Sequence, residues 1–294
     1  MANTRIHSDS RVQLRKMELS DMEGLMKLKD AEGWNQQEKD WALLISYNKS
    51  VNLVAVLDDH IVGTVTAINY DNTVAWIGMM LVDRDYRGRG IARLLLLDAI
   101  DKLNKCNSIK LDATPAGRPL YLKLGFKDEY TLYRMTNASV SKISPDEDAS
   151  PRAEQIRPVD IPEVAAYDKK VFGADRAALI SQLFKAYPDL AWFIKENNSI
   201  AGFCLGREGK NYTQIGPVSA SSSNGARALV RSAINRLTGQ PVVVDICAAK
   251  SEIQGWLEAC GFKSQRPFER MYLRDNPCPG IIEKQYLICG PELG

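Results

Sequence analysis

The residues best suited to chemistry are the six at positions 87–92, Arg-Gly-Arg-Gly-Ile-Ala. They lie between an apolar run at 74–82 and a segment, 92–103, whose apolar side chains repeat with helical spacing. The first amides of a helix lack internal acceptors, and the helix dipole adds partial positive charge there. Glycines allow close approach of an anion, and arginines add fixed charge. The pattern therefore predicts a pyrophosphate cradle; the alternative is a tight turn with solvated arginines.

A nicotinamide dinucleotide matches this loop poorly. The dinucleotide fingerprint needs a third glycine, and that position holds Arg93. The fingerprint also sits in the first strand–helix unit of a domain, whereas this loop follows four predicted strands and two predicted helices. NAD binding is therefore not expected.

Secondary-structure patterns place the loop inside a mixed α/β unit. The capping-box pairs Ser20/Glu23 and Asn35/Glu38 mark the starts of two helices. The unbroken apolar character of 74–82 is typical of a central strand buried on both faces. The patterns predict strands at 12–15, 51–57, 61–68, 74–82, 108–113 and up to about 136, and helices at 20–32, from 35 onward, at 92–103 and at 118–124.

The chain repeats this plan after a break in composition. Residues 138–152 are rich in Ser and acidic side chains and predict an exposed linker between domains at 1–137 and 153–294. The helical stripe recurs at 226–237, at an offset of 134 residues. The segments 14–25 and 121–129 also align with 156–167 and 257–265. Three matches in the same order indicate a tandem duplication; two unrelated α/β domains are the alternative.

Composition narrows the function classes. The net charge is +2, from 38 Lys+Arg against 36 Asp+Glu, so neither nucleic acid nor a membrane surface is an expected partner. The sequence has no apolar run of membrane-spanning length and no apolar signal core near its start. Six cysteines without a CxxC pair favour reduced thiols in the cytoplasm. With only His7 and His60 present, a metal site or a His-based triad is not expected.

Two motifs resemble the GCN5-related N-acetyltransferase (GNAT) superfamily. They are V-D-R-D-Y-R-G-R-G-I-A at 82–92 and Y-L-K-L-G-F at 121–126. The resemblance covers about 12–137 closely, and the second half resembles the same fold with its motif eroded. Three further segments fit a tandem bacterial group of the superfamily: E-G-W-N (32–35), D-A-T-P-A-G (112–117) and C-G-P-E-L-G (289–294).

This resemblance implies the fold and the cofactor. The fold is α/β (α+β), with two tandem GNAT-like domains, each a mixed, mostly antiparallel sheet flanked by helices. The cofactor is acetyl-CoA, whose pantetheine arm would pair with the fourth strand and whose pyrophosphate would bind the loop amides. The implied cofactor residues are Met80, Leu81, Val82, Arg87, Gly88, Arg89, Gly90, Ile91, Ala92, Arg93 and Thr114.

The resemblance also implies a mechanism. Tyr121 matches the family's general-acid tyrosine, which protonates the departing thiolate after direct attack by an amine. Packing near Phe126 is the plain structural alternative for this side chain. Two positions depart from the family pattern. Thr114 replaces a frequent Asn, and Ile109 replaces a glutamate that serves as base in some members.

The acceptor side is less well defined. In this superfamily the loop between the first two helices often lines the acceptor pocket, so Glu32, Trp34 and Asn35 are weak candidates. Glu32 could act as the base or be a solvated carboxylate. Asn35 also fits the N-cap position of the second predicted helix. A water chain is a third route for the amine proton.

The second copy lacks the loop residues and the tyrosine that the resemblance assigns to cofactor binding and catalysis. Positions 221–226 replace the loop with Ser-Ser-Ser-Asn-Gly-Ala, and Leu257 replaces the tyrosine. We expect this half to bind no acetyl-CoA and to shape the acceptor site, with Arg207 and residues 290–294 as weak candidates.

The expected function is an N-acetyltransferase acting on a small-molecule or peptide amine, as a monomer or homodimer. A non-catalytic acyl-CoA-binding or regulatory module is the alternative, because no base is identified. An interaction scaffold is a third possibility, against which the intact loop counts. The identity of the acceptor stays open.

Overall fold

The computed structural model describes residues 11–47, 50–144 and 151–294, so His7 lies outside the described residues. The strands are β1 Gln13–Lys16, β2 Val51–Leu57, β3 His60–Tyr70, β4 Val74–Val82, β5 Ser108–Ala113, β6 Lys127–Asn137, β7 Glu154–Gln155, β8 Trp192–Glu196, β9 Ser199–Arg207, β10 Thr213–Ala220, β11 Val242–Cys247, β12 Lys263–Arg274 and β13 Gln285–Leu287. The α-helices are α1 Met22–Ala31, α2 Glu38–Ser46, α3 Ile91–Lys102, α4 Arg118–Lys123, α5 Ile161–Phe172, α6 Ala177–Ala186, α7 Ser223–Arg236 and α8 Ser251–Ala259.

The strands form one sheet, in the order β1-β2-β3-β4-β5-β12-β6-β11-β13-β10-β9-β8-β7. Most neighbours are antiparallel; the parallel pairs among the described strands are β4–β5 and β10–β11. Helices pack on the sheet through apolar stripes such as that of α3, where Leu95, Leu96 and Ala99 are fully buried. The predicted class, a mixed and mostly antiparallel sheet flanked by helices, is confirmed. Within the described ranges, no helix combines the length and the apolar character needed to cross a bilayer.

The two halves exchange their last long strands. β12, from the second half, lies between β5 and β6 of the first half. In return, β6 pairs with β11 of the second half, from Asn137↔Val242 to Leu132↔Cys247. Each half therefore completes its sheet with a strand from the other, an arrangement that local sequence patterns do not reveal.

Two buried ion pairs join the exchanged strands. Arg270 on β12 is the direct cross-strand partner of Asp112 on β5 and contacts both carboxylate oxygens, at 2.8 and 3.0 Å. Arg134 on β6 is likewise opposite Asp245 on β11, at 2.7 and 2.8 Å. The duplicated fold thus repeats the same Asp–Arg pair on both sides of the exchange. Because the carboxylates are fully buried, removing one partner would strand an uncompensated charge.

The described beginning of the predicted linker, residues 138–144, is mostly exposed, but two of its apolar side chains are docked on the second half. Val140 is buried, and its backbone N–H donates to Gln240 O at 3.1 Å. The backbone of Ile143 is held in both directions by the Asn235 side chain. The apolar side chains of Val140 and Ile143 pack on the second half, which outweighs the polar composition around them. Residues 145–150 of the predicted linker lie outside the described residues, and the predicted domain limits stay a prediction.

Both predicted capping boxes are misplaced by two residues. The observed boxes pair Glu18 with Asp21 and Gln37 with Asp40. In each, the aspartate accepts the backbone N–H three residues earlier, at 2.8 and 2.6 Å. The prediction of Asn35 as an N-cap was wrong, because that side chain bonds to the second half instead.

The last residues of the chain cover β4 on the face that carries α1 and α2. Tyr70 Oη donates to Leu293 O at 2.8 Å, and Trp76 Nε1 donates to Pro291 O at 2.9 Å. A Cβ at Gly78 would lie 2.6 Å from Glu292 Cα, so only glycine admits this approach. Residues 290–294 thereby form part of the core shared by the two halves.

We expect Asp245→Asn to lower the free energy of unfolding by about 3–5 kcal/mol, because Arg134 would be left buried without its counter-charge. The matched control is Asp189→Asn, which removes a pair to Arg236 whose side chains are both more than half exposed; its effect should stay below about 1 kcal/mol. Urea denaturation measures both variants. Equal losses in the two variants would contradict the role given to the buried pair.

Candidate active site

A wedge opens between the two parallel strands of the first half. β4 and β5 pair only from Val74↔Ser108 to Ile77↔Leu111. Beyond this point, residues 78–82 of β4 have no strand partner on the β5 side among the described residues. The wedge exposes one backbone edge of β4, where Met80, Leu81 and Val82 were predicted to hold a pantetheine arm.

A bulge at Met79 produces the divergence. This residue has φ +46°, and the register between β3 and β4 shifts here, between Thr64 and Thr66. The Thr64 hydroxyl donates to Met79 O at 2.7 Å and holds the bulge in place. A positive φ is strained for a methionine, and such strain is concentrated at functional sites.

The predicted anion loop follows directly after this edge. Gly88 and Gly90 have φ +78° and +80°, and Gly90 is the N-cap of α3. No side chain caps this helix. Among the described residues, the backbone N–H groups from Gly88 to Arg93 donate no hydrogen bond to a backbone carbonyl. A Cβ at Gly88 would meet no atom within 4 Å, so the space beside these amides is open.

The three arginines of the loop differ in how they are held. Arg87 donates to Glu32 at 2.7 Å and to Val82 O at 3.1 Å. Arg89 lies over the Tyr86 ring at 5.0 Å, and Arg93 is exposed. The positive charge therefore surrounds the free amides, although one carbonyl of the β4 edge is engaged by Arg87.

Tyr121 lies on the α3 side of the wedge. It belongs to the apolar cluster that also contains Ile77 and Leu111, the last paired residues of β4 and β5. Its ring packs edge-on against Phe126, with centroids 5.8 Å apart. The hydroxyl has no hydrogen-bond partner among the described residues, and burial raises the pKa of Tyr121 above its ordinary value. The phenol is therefore protonated and unengaged. Thr114 caps the turn before α4, since its Oγ1 accepts from Gly117 N at 3.2 Å.

Glu32 is an ion-pairing residue rather than a solvated carboxylate. Its Oε1 accepts from Arg84 at 2.9 Å and from Arg87 at 2.7 Å, and its side chain is 23% exposed. Glu32 thus fixes the position of Arg87 beside the anion loop, and two arginines compensate its charge.

Asn35 joins the two halves. Its Oδ1 accepts from the backbone of Asn211 and Tyr212 at 2.9 and 3.0 Å, and its Nδ2 donates to Tyr212 O at 2.9 Å. Trp34 packs partly buried against the shared core. The helix-connecting loop is therefore docked on the 209–212 loop of the second half.

A cavity of about 270 Å³ lies beside this docked loop. The residues that line it come from both halves: Glu32, Gly33, Asn35, Arg134, Asn211, Tyr212, Val243, Gln265 and Arg266. Sequence reasoning missed the contribution of Arg134 and Arg266, because it arises from the exchange of β6 and β12.

Arg207 and residues 290–294 do contact each other, but these contacts hold the fold together and do not form a binding site. The Arg207 guanidinium is buried and paired with Asp40, at 2.6 Å, and with Glu292. Both of its charge partners are internal, so Arg207 anchors the last residues of the chain against α2 and is not free to bind a substrate.

The second half fills its own wedge. β10 and β11 pair in parallel only at Thr213↔Val242 and Gln214↔Val243. β13 then inserts between them, and Leu287 pairs with both Val218 of β10 and Ile246 of β11. The chain itself therefore occupies the slot that stays open in the first half.

The loop of the second half is closed as well. Ser222 is the N-cap of α7, and its Oγ accepts from Gly225 N at 3.2 Å. A Cβ on Gly225 would lie 2.5 Å from Ile194 Cδ1, so no ligand has room at that point. On the basis of both features, the absence of a coenzyme site from this half stays a prediction.

Comparison with known proteins matches both halves to one superfamily. A model described as the acetyltransferase (GNAT) family matches residues 15–126, and one described as an acetyltransferase (GNAT) domain matches residues 164–287. The N-acetyltransferase YitH of Bacillus subtilis is 24% identical over 274 residues, covering 90% of this chain and 93% of that protein. Holothin acyltransferase of a Pseudoalteromonas species is 25% identical over 265 residues, covering 90% and 88%.

Solved structures show the same fold over the whole chain. An acetyltransferase from Pyrococcus horikoshii superposes with a TM-score of 0.80 at 22% identity, covering 97% of this chain and 96% of that one. A GCN5-related N-acetyltransferase from Sphaerobacter thermophilus gives 0.66 at 15% identity, covering 90% and 95%. The chain belongs to the GNAT superfamily, and the protein is an acyltransferase that carries two GNAT domains in tandem.

Proposed function

We propose that the protein transfers an acetyl group from acetyl-CoA to a primary amine by direct attack, with Tyr121 as the general acid. The observation that carries the proposal is the continuity between the unpaired edge of β4 and the free amides of residues 88–93. An extended, amide-bearing arm fits the first as an added strand, and a diphosphate fits the second. The similarity to YitH, which is named an N-acetyltransferase, supports nitrogen as the acceptor atom.

The chain's own residues bind and orient the coenzyme. Met80, Leu81 and Val82 offer their backbone to the pantetheine arm, and Gly88 to Arg93 offer their amides to the pyrophosphate. Arg87, Arg89 and Arg93 add charge around that group. Thr114 acts indirectly, by shaping the turn that leads into α4. Bound acetyl-CoA supplies an activated thioester, so a covalent acetyl-enzyme is not needed.

Tyr121 holds the proton that the departing sulfur requires. Its hydroxyl has no hydrogen-bond partner in the part of the chain that the structure describes, and its raised pKa keeps the phenol protonated across the range in which enzymes work. Both reactants are bound together in one site, so proximity provides a large part of the rate.

The acceptor amine enters from the face of α1 and α2. Glu32 is a positioning residue in this scheme, because Arg84 and Arg87 compensate its carboxylate. The amine therefore loses its proton to water in the cavity rather than to Glu32. The acceptor is a small-molecule or peptide amine.

We expect Tyr121→Phe to lower kcat by about 10²–10⁴-fold, because the leaving group then lacks its proton donor. Steady-state thiol release measures turnover, and isothermal titration shows that CoA affinity is unchanged. Tyr133→Phe, on β6, is the control and should keep wild-type turnover. Full activity of Tyr121→Phe with normal CoA binding would refute the general-acid role.

Replacing Gly88 by Glu should weaken CoA binding by at least about tenfold, since a carboxylate would face the amides that bind the pyrophosphate. Gly239→Glu is a matched control: Gly239 also has a positive φ, of +81°, and no atom within 4 Å of a Cβ. It therefore suffers the same backbone strain away from the loop. Equal affinity in the two variants would show that the coenzyme binds elsewhere.

Titration of the wild-type chain should give one CoA per chain, because β13 and Ser222 close the second wedge. Calorimetry or equilibrium dialysis with CoA measures the ratio directly. Two equivalents per chain would contradict the assignment of a closed second half.

A further inference from the structure

One guanidinium in the cavity beside the wedge has no ion-pair partner among the described residues, although the carboxylate of Asp245, which is paired with Arg134, lies near enough to act on it. Arg266 lines this cavity, and its Nε is buried without a hydrogen-bond partner. Among the described residues it forms no ion pair; its guanidinium lies over the Phe268 ring at 4.9 Å. Burial and the nearby charge of Arg134 lower the pKa of Arg266. A half-buried cation without a partner is costly unless a ligand compensates it.

The other charges of the cavity are already compensated. Arg134 is directly opposite Arg266 on the neighbouring strand, and its guanidinium is held by Asp245. Glu32, on the far wall, is held by Arg84 and Arg87. The remaining lining residues are neutral, so the cavity carries one positive charge without an ion-pair partner in the described part of the chain.

Contacts on two sides indicate that the cavity lies near the mouth of the wedge. Glu32 is tied to the residues that follow β4, through Arg84 and Arg87. On the other side, β12 runs antiparallel to β5 with Glu269 opposite Ala113, so Arg266 lies beyond the end of β5. Arg270 of β12 stacks on Trp76 of β4. Since Arg266, Phe268 and Arg270 point to the same face, the cavity opens on the face of α1 and α2.

We propose that this cavity binds the acceptor and that Arg266 recognises a carboxylate on it, so that the substrate is a small primary amine of the amino-acid class. The inference rests on the proposed acetyl transfer and specifies its acceptor. A guanidinium can bind both oxygens of a carboxylate through two parallel hydrogen bonds. The volume of about 270 Å³ is below the range of drug-sized pockets and suits one small molecule.

The position of the cavity allows one ligand to reach Arg266 and the wedge at the same time. The carboxylate would pair with Arg266 on the β12 wall, and the amine would extend toward the wedge, where the unpaired edge of β4 begins. Asn211, Tyr212 and Gln265 supply neutral polar groups around the rest of the molecule. The exchanged strand β12 thus brings the specificity group of the second half into the site of the first.

The test compares amino acids that carry a primary α-amine with their carboxamides in thiol-release assays with acetyl-CoA. The variants are Arg266→Gln, which removes the charge, and Arg266→Lys, which keeps the charge but cannot form the two parallel hydrogen bonds of a guanidinium. Arg236→Gln is the control, because Arg236 is exposed and pairs only with Asp189 among the described residues. A parallel measurement of melting temperature with CoA and the same amino acids reports binding independently of turnover.

We expect at least one amino acid to have a KM at least about tenfold below that of its amide, as a charge-assisted hydrogen bond gives. Arg266→Gln should bring this ratio close to one while CoA affinity stays at the wild-type value, and Arg266→Lys should restore part of the ratio. The same pattern should appear in the melting temperatures.

The inference is overturned if no amino acid is preferred to its amide in either measurement, or if Arg266→Gln keeps the preference. Failure of the proposed function has a different signature, since CoA would then not bind, or no amine of either kind would release thiol. Normal CoA binding with turnover of amides alone contradicts the carboxylate site and leaves acetyl transfer intact.

Discussion

The main constraint on this fold is the unpaired backbone edge that remains where two parallel strands separate. β4 and β5 separate after Ile77 and Leu111, and β10 and β11 separate after Gln214 and Val243. Buried backbone N–H and C=O groups require partners, so each wedge must be filled by something that can hydrogen-bond. The second half fills its wedge with β13. The wedge of the first half holds no strand among the described residues, and this is the main structural difference between the two halves.

The second half contributes structure to the first half, although its own wedge is filled. It donates β12 to the sheet of the first half and receives β6 in return, with Asp112–Arg270 and Asp245–Arg134 joining the exchanged strands. Its 209–212 loop holds Asn35. Residues 290–294 cover the α1–α2 face of β4 at Gly78. The second copy therefore builds most of the cavity wall that faces the helix-connecting loop, together with Arg134 of β6 from the first half.

Local sequence patterns predicted the parts of the site that are formed by neighbouring residues. The Arg-Gly-Arg-Gly loop, the helix behind it and the strand before it lie where their composition placed them, because glycine conformation and apolar spacing act over a few residues. The position of Tyr121 beside the wedge followed from a family motif, not from composition. The duplication was visible from the recurring stripe on α7.

The contacts that sequence could not show join residues distant in the chain. The exchange of β6 and β12 preserves every strand pattern and changes only which strand is the neighbour, so no local signal distinguishes it. The pairing of Glu32 with Arg84 and Arg87 and the burial of Val140 depend on the same long-range packing. No local pattern distinguishes Arg266 from other arginines, and only the exchange makes it part of the cavity.

The most direct test of this account is a crystal structure of the chain with CoA. The account predicts the pantetheine arm as an added strand along Met80, Leu81 and Val82, with the pyrophosphate on the amides of Gly88 to Arg93. It also predicts β13 still in place between β10 and β11. Density for the coenzyme in the second half, or displacement of β13 by it, would contradict the division of roles between the two domains.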